Sequence, residues 1–247
     1  MRNYNLGFID DEVIYNHIKD TVLKYQRKID LEKFNSNFID PIKLTFDAKV
    51  YGKSFEEIVE TECVRQIDKS NTNHIGYFHQ NLFKYAGADW EVPPQGFDIV
   101  NKRKKIYVEM KNKHNTMNAA SSRDTYMGMQ AQLLKDGESK CYLVEVIAKR
   151  SQDITWEGTF KGHYYSDSRI RRISIDKFYE VVFDDSNAFF KLCQALPDIL
   201  DDVVQETRTG NIDNTVYEEL KQIHSDTLKS LYLLAFSTYE GFDILAE

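Results

Sequence analysis

Two short apolar runs, joined by four basic residues, constrain the fold of this chain more than any other feature. The first run covers 96–101, the basic residues are 102–105, and the second run covers 106–111. In the second run apolar and polar residues alternate, so a β-strand would place Glu109 and Lys111 on one face. The basic stretch is long and polar enough to turn the chain back. The two runs are therefore predicted to form an antiparallel hairpin.

The predicted hairpin brings three chemically useful side chains together. Strand pairing would place Asp98 alongside Glu109, with Lys111 on the same face as Glu109. Two neighbouring carboxylates repel each other unless a divalent cation lies between them, and oxygen ligands suit Mg²⁺ better than Zn²⁺. Lys111 would hold a water or stabilise charge on a phosphate. The pattern predicts a metal-dependent site that cleaves phosphodiesters, and spacing alone leaves a solvated hairpin face as the alternative.

These residues resemble the core motif of the PD-(D/E)XK nuclease superfamily, which is an Asp, a variable gap, and then Glu or Asp, any residue, and Lys. Asp98, Glu109 and Lys111 match this motif in order. Phe97 stands where the superfamily name has Pro. The resemblance implies that Asp98 and Glu109 bind Mg²⁺, joined by the Met110 carbonyl. It also implies that Lys111 positions or activates the attacking water.

A longer stretch at 69–118 is similar to type II restriction endonucleases, and among them to the group that cuts GGNCC sites. The likeness extends from Leu6 to about Val203 and is most specific at 107–118. It implies Mg²⁺-dependent, site-specific cleavage of both strands of DNA. Because a palindromic site is cut on both strands, it also implies a twofold homodimer. A cognate methyltransferase would protect host DNA at the same site.

One further acid is a candidate for the catalytic site. The segment at about 54–69 is predicted to be a helix, and Glu62 falls inside its apolar face, where an unpaired carboxylate is costly. Members of the superfamily commonly supply an acid from the helix before the Asp strand, so Glu62 is the candidate and Glu60 the alternative. A structural ion pair between Glu62 and Arg65 explains the same pattern.

Polar side chains near the predicted site are candidates for DNA contacts. Residues that leave the active-site strand directly are expected near the scissile phosphate, and nearby arginines suit two-pronged contacts with guanine. Any one of them is more often an ordinary surface or capping residue, but the set favours nucleic acid. The candidates are Asn112, Lys113, His114, Asn115, Thr116, Asn118, Arg169, Arg171 and Arg172.

The charge of the chain is unevenly distributed. The net charge is −7, yet residues 101–177 hold 16 Lys and Arg against 9 Asp and Glu. A locally basic cleft on an acidic protein can bind phosphates while the acidic remainder limits non-specific binding to nucleic acid. Acidic helices that merely keep the protein in solution are compatible with the net charge, but they do not explain this asymmetry.

The order of predicted elements indicates an α/β protein with a restriction-endonuclease-like mixed β-sheet core flanked by helices, and with additional N- and C-terminal helices. The chain is expected to be a single nuclease domain at 1–247, with its catalytic core at about 54–150 and a helical extension at about 185–247. Helices are predicted at about 11–28, 54–69, 121–135, 187–206 and 214–236, a buried strand at 141–148, an extended segment at 162–175, and irregular structure at 29–53.

The apolar runs, the N-terminus and the cysteines argue against a membrane protein or a secreted, disulfide-bonded one. No apolar run is long enough to span a membrane, and the acidic N-terminus does not resemble a signal peptide. Three separated cysteines suggest buried thiols in a cytoplasmic protein. Two alternatives remain open: a structure-specific or repair nuclease on the same core, and a DNA-binding module without catalytic activity.

Overall fold

The computed structural model describes residues 2–208, 210, 212–240 and 242–246. It divides into two compact units. The first unit comprises 1–23 and 75–207, and the second comprises 24–74 and 208–247. The expectation of a single nuclease domain stays a prediction. No helix in the described part of the chain is both long and apolar enough to cross a lipid bilayer.

The helices and strands are numbered in chain order. The α-helices are α1 (Asp11–Lys24), α2 (Leu31–Asn35), α3 (Pro41–Tyr51), α4 (Phe55–Leu82), α5 (Ala119–Lys135), α6 (Ile175–Phe183), α7 (Ala188–Thr207), α8 (Val216–Ile223) and α9 (Thr227–Phe236), with short 3₁₀ turns at Phe83–Ala86 and Asp243–Ala246. The strands are β1 (Lys28–Ile29), β2 (Trp90–Glu91), β3 (Ile99–Asn101), β4 (Ile106–Lys113), β5 (Lys140–Ile147), β6 (Asp153–Thr155), β7 (Gly158–Phe160), β8 (His163–Tyr165), β9 (Ile170–Ser174) and β10 (Asp213–Asn214).

A six-stranded mixed sheet forms the centre of the first unit, in the order β2-β3-β4-β5-β9-β6. β4, β5 and β9 run parallel to one another, while β2, β3 and β6 pair antiparallel with their neighbours. β5 lies near the middle and is buried from Cys141 to Glu145, as its nearly continuous apolar sequence predicts, while Ile147 at its end is exposed. The predicted α/β class with a mixed sheet flanked by helices is confirmed.

Alternation along β4 separates two apolar layers in the first unit. Val108 and Met110 pack in a cluster with residues of α1, α6 and α7, whereas Tyr107 packs on the opposite face in a cluster with α5. Because Glu109 and Lys111 follow the same alternation as Tyr107, they lie on the face that carries α5. Burial of each large apolar side chain in these layers contributes roughly 1.5–3 kcal/mol.

The second unit has its own apolar core, and the expectation of irregular structure at 29–53 is wrong. Asp30 caps α2 by accepting a hydrogen bond from Lys33 N, and Asp40 caps α3 directly before Pro41. Gly52 ends α3 in the left-handed region at φ 64°. These are ordinary helix boundary signals. The core of this unit includes Ile29, Phe34, Val59, Cys63, Leu220 and Leu231.

Several predicted boundaries differ from the structure. α4 continues to Leu82 instead of ending near Lys69, because the buried side chains of Phe78 and Leu82 outweigh the weak helix propensity of the Ser and Asn residues between. The helix predicted at 214–236 is two helices.

Cys193 is exposed, whereas the other two cysteines are buried thiols as expected.

One buried histidine gives the first unit a predicted pH dependence. Burial lowers the pKa of His79 to about 4, with the neighbouring charge of His17 adding to the effect. The unfolded chain takes up a proton near pH 6.5, and the folded protein does not. The free energy of unfolding should therefore fall by about 3 kcal/mol as the pH decreases from about 6.5 to about 4.

The measurement is urea unfolding between pH 7 and pH 4, with His79→Gln as the comparison. The variant lacks the titrating group, so its stability should depend less steeply on pH than that of the wild type. Parallel pH curves for the two proteins would contradict the assignment.

Candidate active site

The predicted hairpin is present, and its register positions Asp98. Ile99 pairs with Val108 in the antiparallel β3–β4 ladder, so Asp98, one residue before β3, stands across from Glu109. The carboxylate of Asp98 accepts a hydrogen bond from the Met110 N–H at 2.7 Å. This bond ties the side chain of Asp98 to the backbone of β4. The side chain therefore stays at the strand that carries Glu109.

Glu109 and Lys111 lie on one face of β4, as the alternation predicts. Lys111 Nζ is 3.5 Å from Glu109 Oε2, and the two side chains are 30% and 23% exposed. Burial raises the pKa of Glu109, and the neighbouring charge of Asp98 raises it further, while Lys111 opposes both effects. The two carboxylates thus repel each other in a partly desolvated place, and a bound cation would relieve that repulsion.

The hairpin residues fit a hard divalent cation that retains water. Mg²⁺ commonly binds through one or two carboxylates and completes its coordination with water and substrate phosphate oxygens. Asp98 and Glu109 supply two such carboxylates. In the part of the chain that the structure describes, no three or more His, Cys, Asp or Glu residues come together to form a metal cage. An ion here would therefore use few protein ligands and leave positions open for substrate.

A buried carboxylate that the sequence did not single out lies on the next strand. Glu145 is 1% exposed and pairs in register with Lys111 across the parallel β4–β5 ladder. His114 Nδ1 lies 2.9 and 3.0 Å from the two oxygens of Glu145, and Arg172 Nη2 is 2.9 Å from one of them. The guanidinium of Arg172 also lies over the Trp156 ring at 5.9 Å. Two predicted DNA-binding residues are therefore held by one internal carboxylate.

A signal for Glu145 was present in the sequence. It is the one acidic residue in the apolar run at 141–148. A carboxylate is costly inside such a strand unless basic groups pair with it. The identity of those partners depends on which strands become neighbours, and the run itself carries no information about that.

The loop after β4 presents the other predicted DNA contacts. Asn118 is the N-cap of α5, where its side chain accepts a hydrogen bond from Ser121 N at 2.8 Å. Thr116 donates its hydroxyl to the Lys113 carbonyl at 3.0 Å. The side chains of Lys113 and Asn115 are exposed. Asn115 adopts φ 56°, a conformation that asparagine tolerates better than most residues.

The remaining arginine candidates lie at β9 and also contact acids. Arg169 pairs with Asp167 at 2.7 Å, and Arg171 pairs with Asp153 at 2.6 Å. Successive strand residues point to opposite faces, so Arg171 and Arg172 do not share a face. The DNA-binding roles of these residues and of the loop stay predictions.

Glu62 lies on α4 in the second unit, and the ion pair offered by the sequence as the alternative is present. Its carboxylate is 2.5 Å from Arg65 Nη2 and also accepts a hydrogen bond from Gln66 Nε2 at 3.1 Å. Burial by itself raises the pKa of Glu62, but the hydrogen bonds from Arg65 and Gln66 outweigh it, so the pKa is lowered overall. The catalytic role of Glu62, or of exposed Glu60, stays a prediction.

Comparison with known proteins places this chain in a family. Residues 6–205 match the Eco47II restriction endonuclease family. The chain belongs to that family. It is 30% identical over 220 residues to the type II restriction enzyme Sau96I of Staphylococcus aureus, covering 84% of each chain. It is 29% identical over 214 residues to the type II restriction enzyme Eco47II of Escherichia coli, covering 81% of this chain and 89% of that one. No solved structure matches it significantly.

Membership of the Eco47II restriction endonuclease family confirms the predicted site-specific cleavage of DNA. The chain is a type II restriction endonuclease, which cleaves DNA at specific sites. The matched range includes Asp98, Glu109 and Lys111 together with the loop after β4. The hairpin is thus part of a DNA-cleaving enzyme, and the alternative of a DNA-binding module without catalytic activity is not supported.

The Glu145 network should stabilise this Eco47II-family enzyme. Replacing Glu145 with Ala leaves the partly buried Arg172 without its carboxylate, so we expect the free energy of unfolding to fall by about 3 kcal/mol. Urea denaturation followed by circular dichroism measures the change.

Glu138→Ala is the matched control. Glu138 is a solvent-exposed acid that pairs with Lys105, so its loss should cost less than about 1 kcal/mol. An equally small effect for Glu145→Ala would show that the buried network does not stabilise the sheet.

Proposed function

We propose that this restriction endonuclease uses Mg²⁺ bound at the β3–β4 hairpin. The observation that carries the proposal is the juxtaposition of Asp98 and Glu109 beside Lys111, with the pKa of Glu109 raised by burial and by Asp98. Asp98, Glu109 and the Met110 carbonyl would hold the ion. When bound, Mg²⁺ would polarise the scissile phosphate and lower the pKa of a coordinated water.

Lys111 is the residue that we propose to act on the attacking water and on the phosphate. Its ammonium group lies 3.5 Å from the Glu109 carboxylate. A protonated lysine donates hydrogen bonds and accepts none, so it orients an attacking water through the water oxygen. The same positive charge stabilises the negative charge that develops on the phosphate. Lys111 therefore positions the nucleophile and Glu109 positions Lys111.

The loop at 112–118 is proposed to contact DNA close to the scissile phosphate. It continues directly from the strand that carries Glu109 and Lys111, and the Lys113 and Asn115 side chains are exposed on it. Lys113 suits a phosphate, and Asn115 suits a base edge. His114 and Arg172 would act from the fixed positions that Glu145 gives them. The other proposed contacts are Asn112, Thr116, Asn118, Arg169 and Arg171.

The recognition site, the oligomeric state, the partner enzyme and the cellular location are proposed from the class of the enzyme. We propose GGNCC as the recognition site, on the resemblance of 69–118 to the restriction enzymes that cut it. A palindromic site cut on both strands favours a twofold homodimer, since each copy then meets one strand in the same way. A cognate methyltransferase acting on that site would protect host DNA, and both enzymes would work in the cytoplasm.

The experiment compares digestion of unmethylated phage DNA by the wild type, Asp98→Ala and Lys111→Ala. With Mg²⁺ the wild type should release discrete fragments with ends at GGNCC, and EDTA should abolish cleavage. Each variant should lose at least about 10³-fold in cleavage rate because it lacks a metal ligand or the water-positioning cation. Both should still bind the duplex. Sequenced fragment ends and single-turnover rates are the measurements.

Lys104→Ala provides the matched control, because Lys104 is an exposed lysine in the turn of the same hairpin. It should cleave at the wild-type rate. Discrete fragments with other ends would keep the enzyme class and reject GGNCC. Cleavage of branched or mismatched DNA without fixed ends would favour a structure-specific nuclease. Parallel loss of binding and cleavage in Lys111→Ala would contradict the role proposed for Lys111.

A further inference from the structure

The second unit contains a pocket whose lining is entirely polar or basic. The pocket has a volume of about 170 Å³. Lys33, Arg65 and Lys69 contribute three positive charges to its wall, and the other lining residues carry amide or hydroxyl groups. No Asp or Glu is among the lining residues. This composition suits a small anionic group.

The wall of the pocket is built by α2, the chain on either side of it, and the middle of α4. Arg65, Lys69 and Asn73 follow one another at intervals of four residues, so they form one stripe along α4. Gln66 is buried between the helices and donates a hydrogen bond to the Phe34 carbonyl at 3.1 Å, which ties α4 to α2. The packing of the second unit therefore fixes the two helices from which the pocket's cationic side chains extend.

The positive charges in the pocket are poorly compensated by the protein. Arg65 pairs with Glu62 at 2.5 Å. Within the described residues, the ammonium groups of Lys33 and Lys69 have no carboxylate within ion-pairing distance. A shortage of acidic residues does not explain why these two lysines lack partners, because the second unit holds 12 Lys and Arg against 16 Asp and Glu.

Like charges in the pocket repel one another, and the Glu62 carboxylate offsets the charge of Arg65 alone. Arg65 and Lys69 are an i,i+4 pair on one helix, and like charges at this spacing repel one another. Lys33 adds a third cation to the same pocket. An anion in the pocket would offset this repulsion, and the neighbouring Ser70 and Asn73 side chains could donate hydrogen bonds to it.

We propose that this pocket binds a backbone phosphate of the DNA substrate. The chain is a DNA-cleaving enzyme, so the polyanion that it must bind is DNA. Lysines that contact phosphates release condensed counterions and add affinity without reading the sequence. The pocket would therefore hold the duplex in place and leave base recognition to other residues. This inference depends on DNA as the substrate and on none of the residues assigned to the metal site.

The test is the salt dependence of duplex binding by the full chain carrying Lys33→Ala and Lys69→Ala together. Binding is followed by fluorescence anisotropy over a series of NaCl concentrations, in EDTA, with the duplex checked for integrity afterwards. Loss of one phosphate contact should make the slope of log K against log[salt] less steep by about 0.9. The loss should be equal for duplexes with and without GGNCC.

Two control variants separate the pocket from general charge effects. Lys49→Ala with Lys53→Ala removes the same charge from exposed positions of the second unit outside the pocket, and its slope should match the wild type. Lys33→Arg with Lys69→Arg keeps the charges and should also retain the slope. An unchanged slope in the pocket double variant, or an equal change in the Lys49 and Lys53 control, would overturn the proposal.

A final arm distinguishes DNA from a free anion. Inorganic phosphate should stabilise the wild type against thermal unfolding no more than sulfate does. If phosphate stabilised the wild type but not the pocket variant, while the DNA salt slope stayed unchanged, the pocket would be a site for a free phosphate compound. Because all arms measure binding without cleavage, their failure would leave the roles of Asp98 and Lys111 standing.

Discussion

The hydrogen bond from the Met110 N–H to the Asp98 carboxylate is the contact on which the geometry of the proposed active site depends. β3 is only three residues long, and Asp98 lies just before it, where ladder pairing has not begun. A side-chain acceptor at this point holds Asp98 against β4 directly across from Glu109. Without it, the carboxylate would be free to turn towards solvent, and the repulsion from Glu109 would favour that movement.

The sheet face that carries α5 is apolar at one end of the strands and charged at the other. Near the start of β4 and β5 it is apolar, with Tyr107 and Leu143 in the cluster around α5. Towards the carboxyl ends it carries Glu109, Lys111 and Glu145. Ligands of open α/β sheets commonly bind beyond the carboxyl ends of the strands. One face thus stabilises the fold by apolar packing at one end of the strands and carries charged groups, among them the proposed metal site, at the other.

The sequence predicted features that depend on local pattern and missed those that depend on distant pairing. The alternation at 106–111 predicts the face shared by Glu109 and Lys111, and together with the basic stretch at 102–105 it predicts the hairpin. The caps of α2 and α3, Asp30 and Asp40, were equally local and could have been recognised. The partners of Glu145 come from separate segments, and the parallel pairing of β5 with β4 and β9 decides them. The sequence of one strand does not indicate which distant strand will pair with it.

The most direct test of the central claim is the thermal midpoint, Tm, of the wild type and of Asp98→Asn, each with and without Mg²⁺. Asparagine keeps an oxygen that can accept the Met110 hydrogen bond but removes one of the two repelling charges. Without metal the variant should unfold at the same Tm as the wild type or higher. Mg²⁺ should raise the Tm of the wild type, since it binds the folded state alone, and leave the variant unchanged. An equal rise in both proteins would show that Asp98 and Glu109 do not form the metal site.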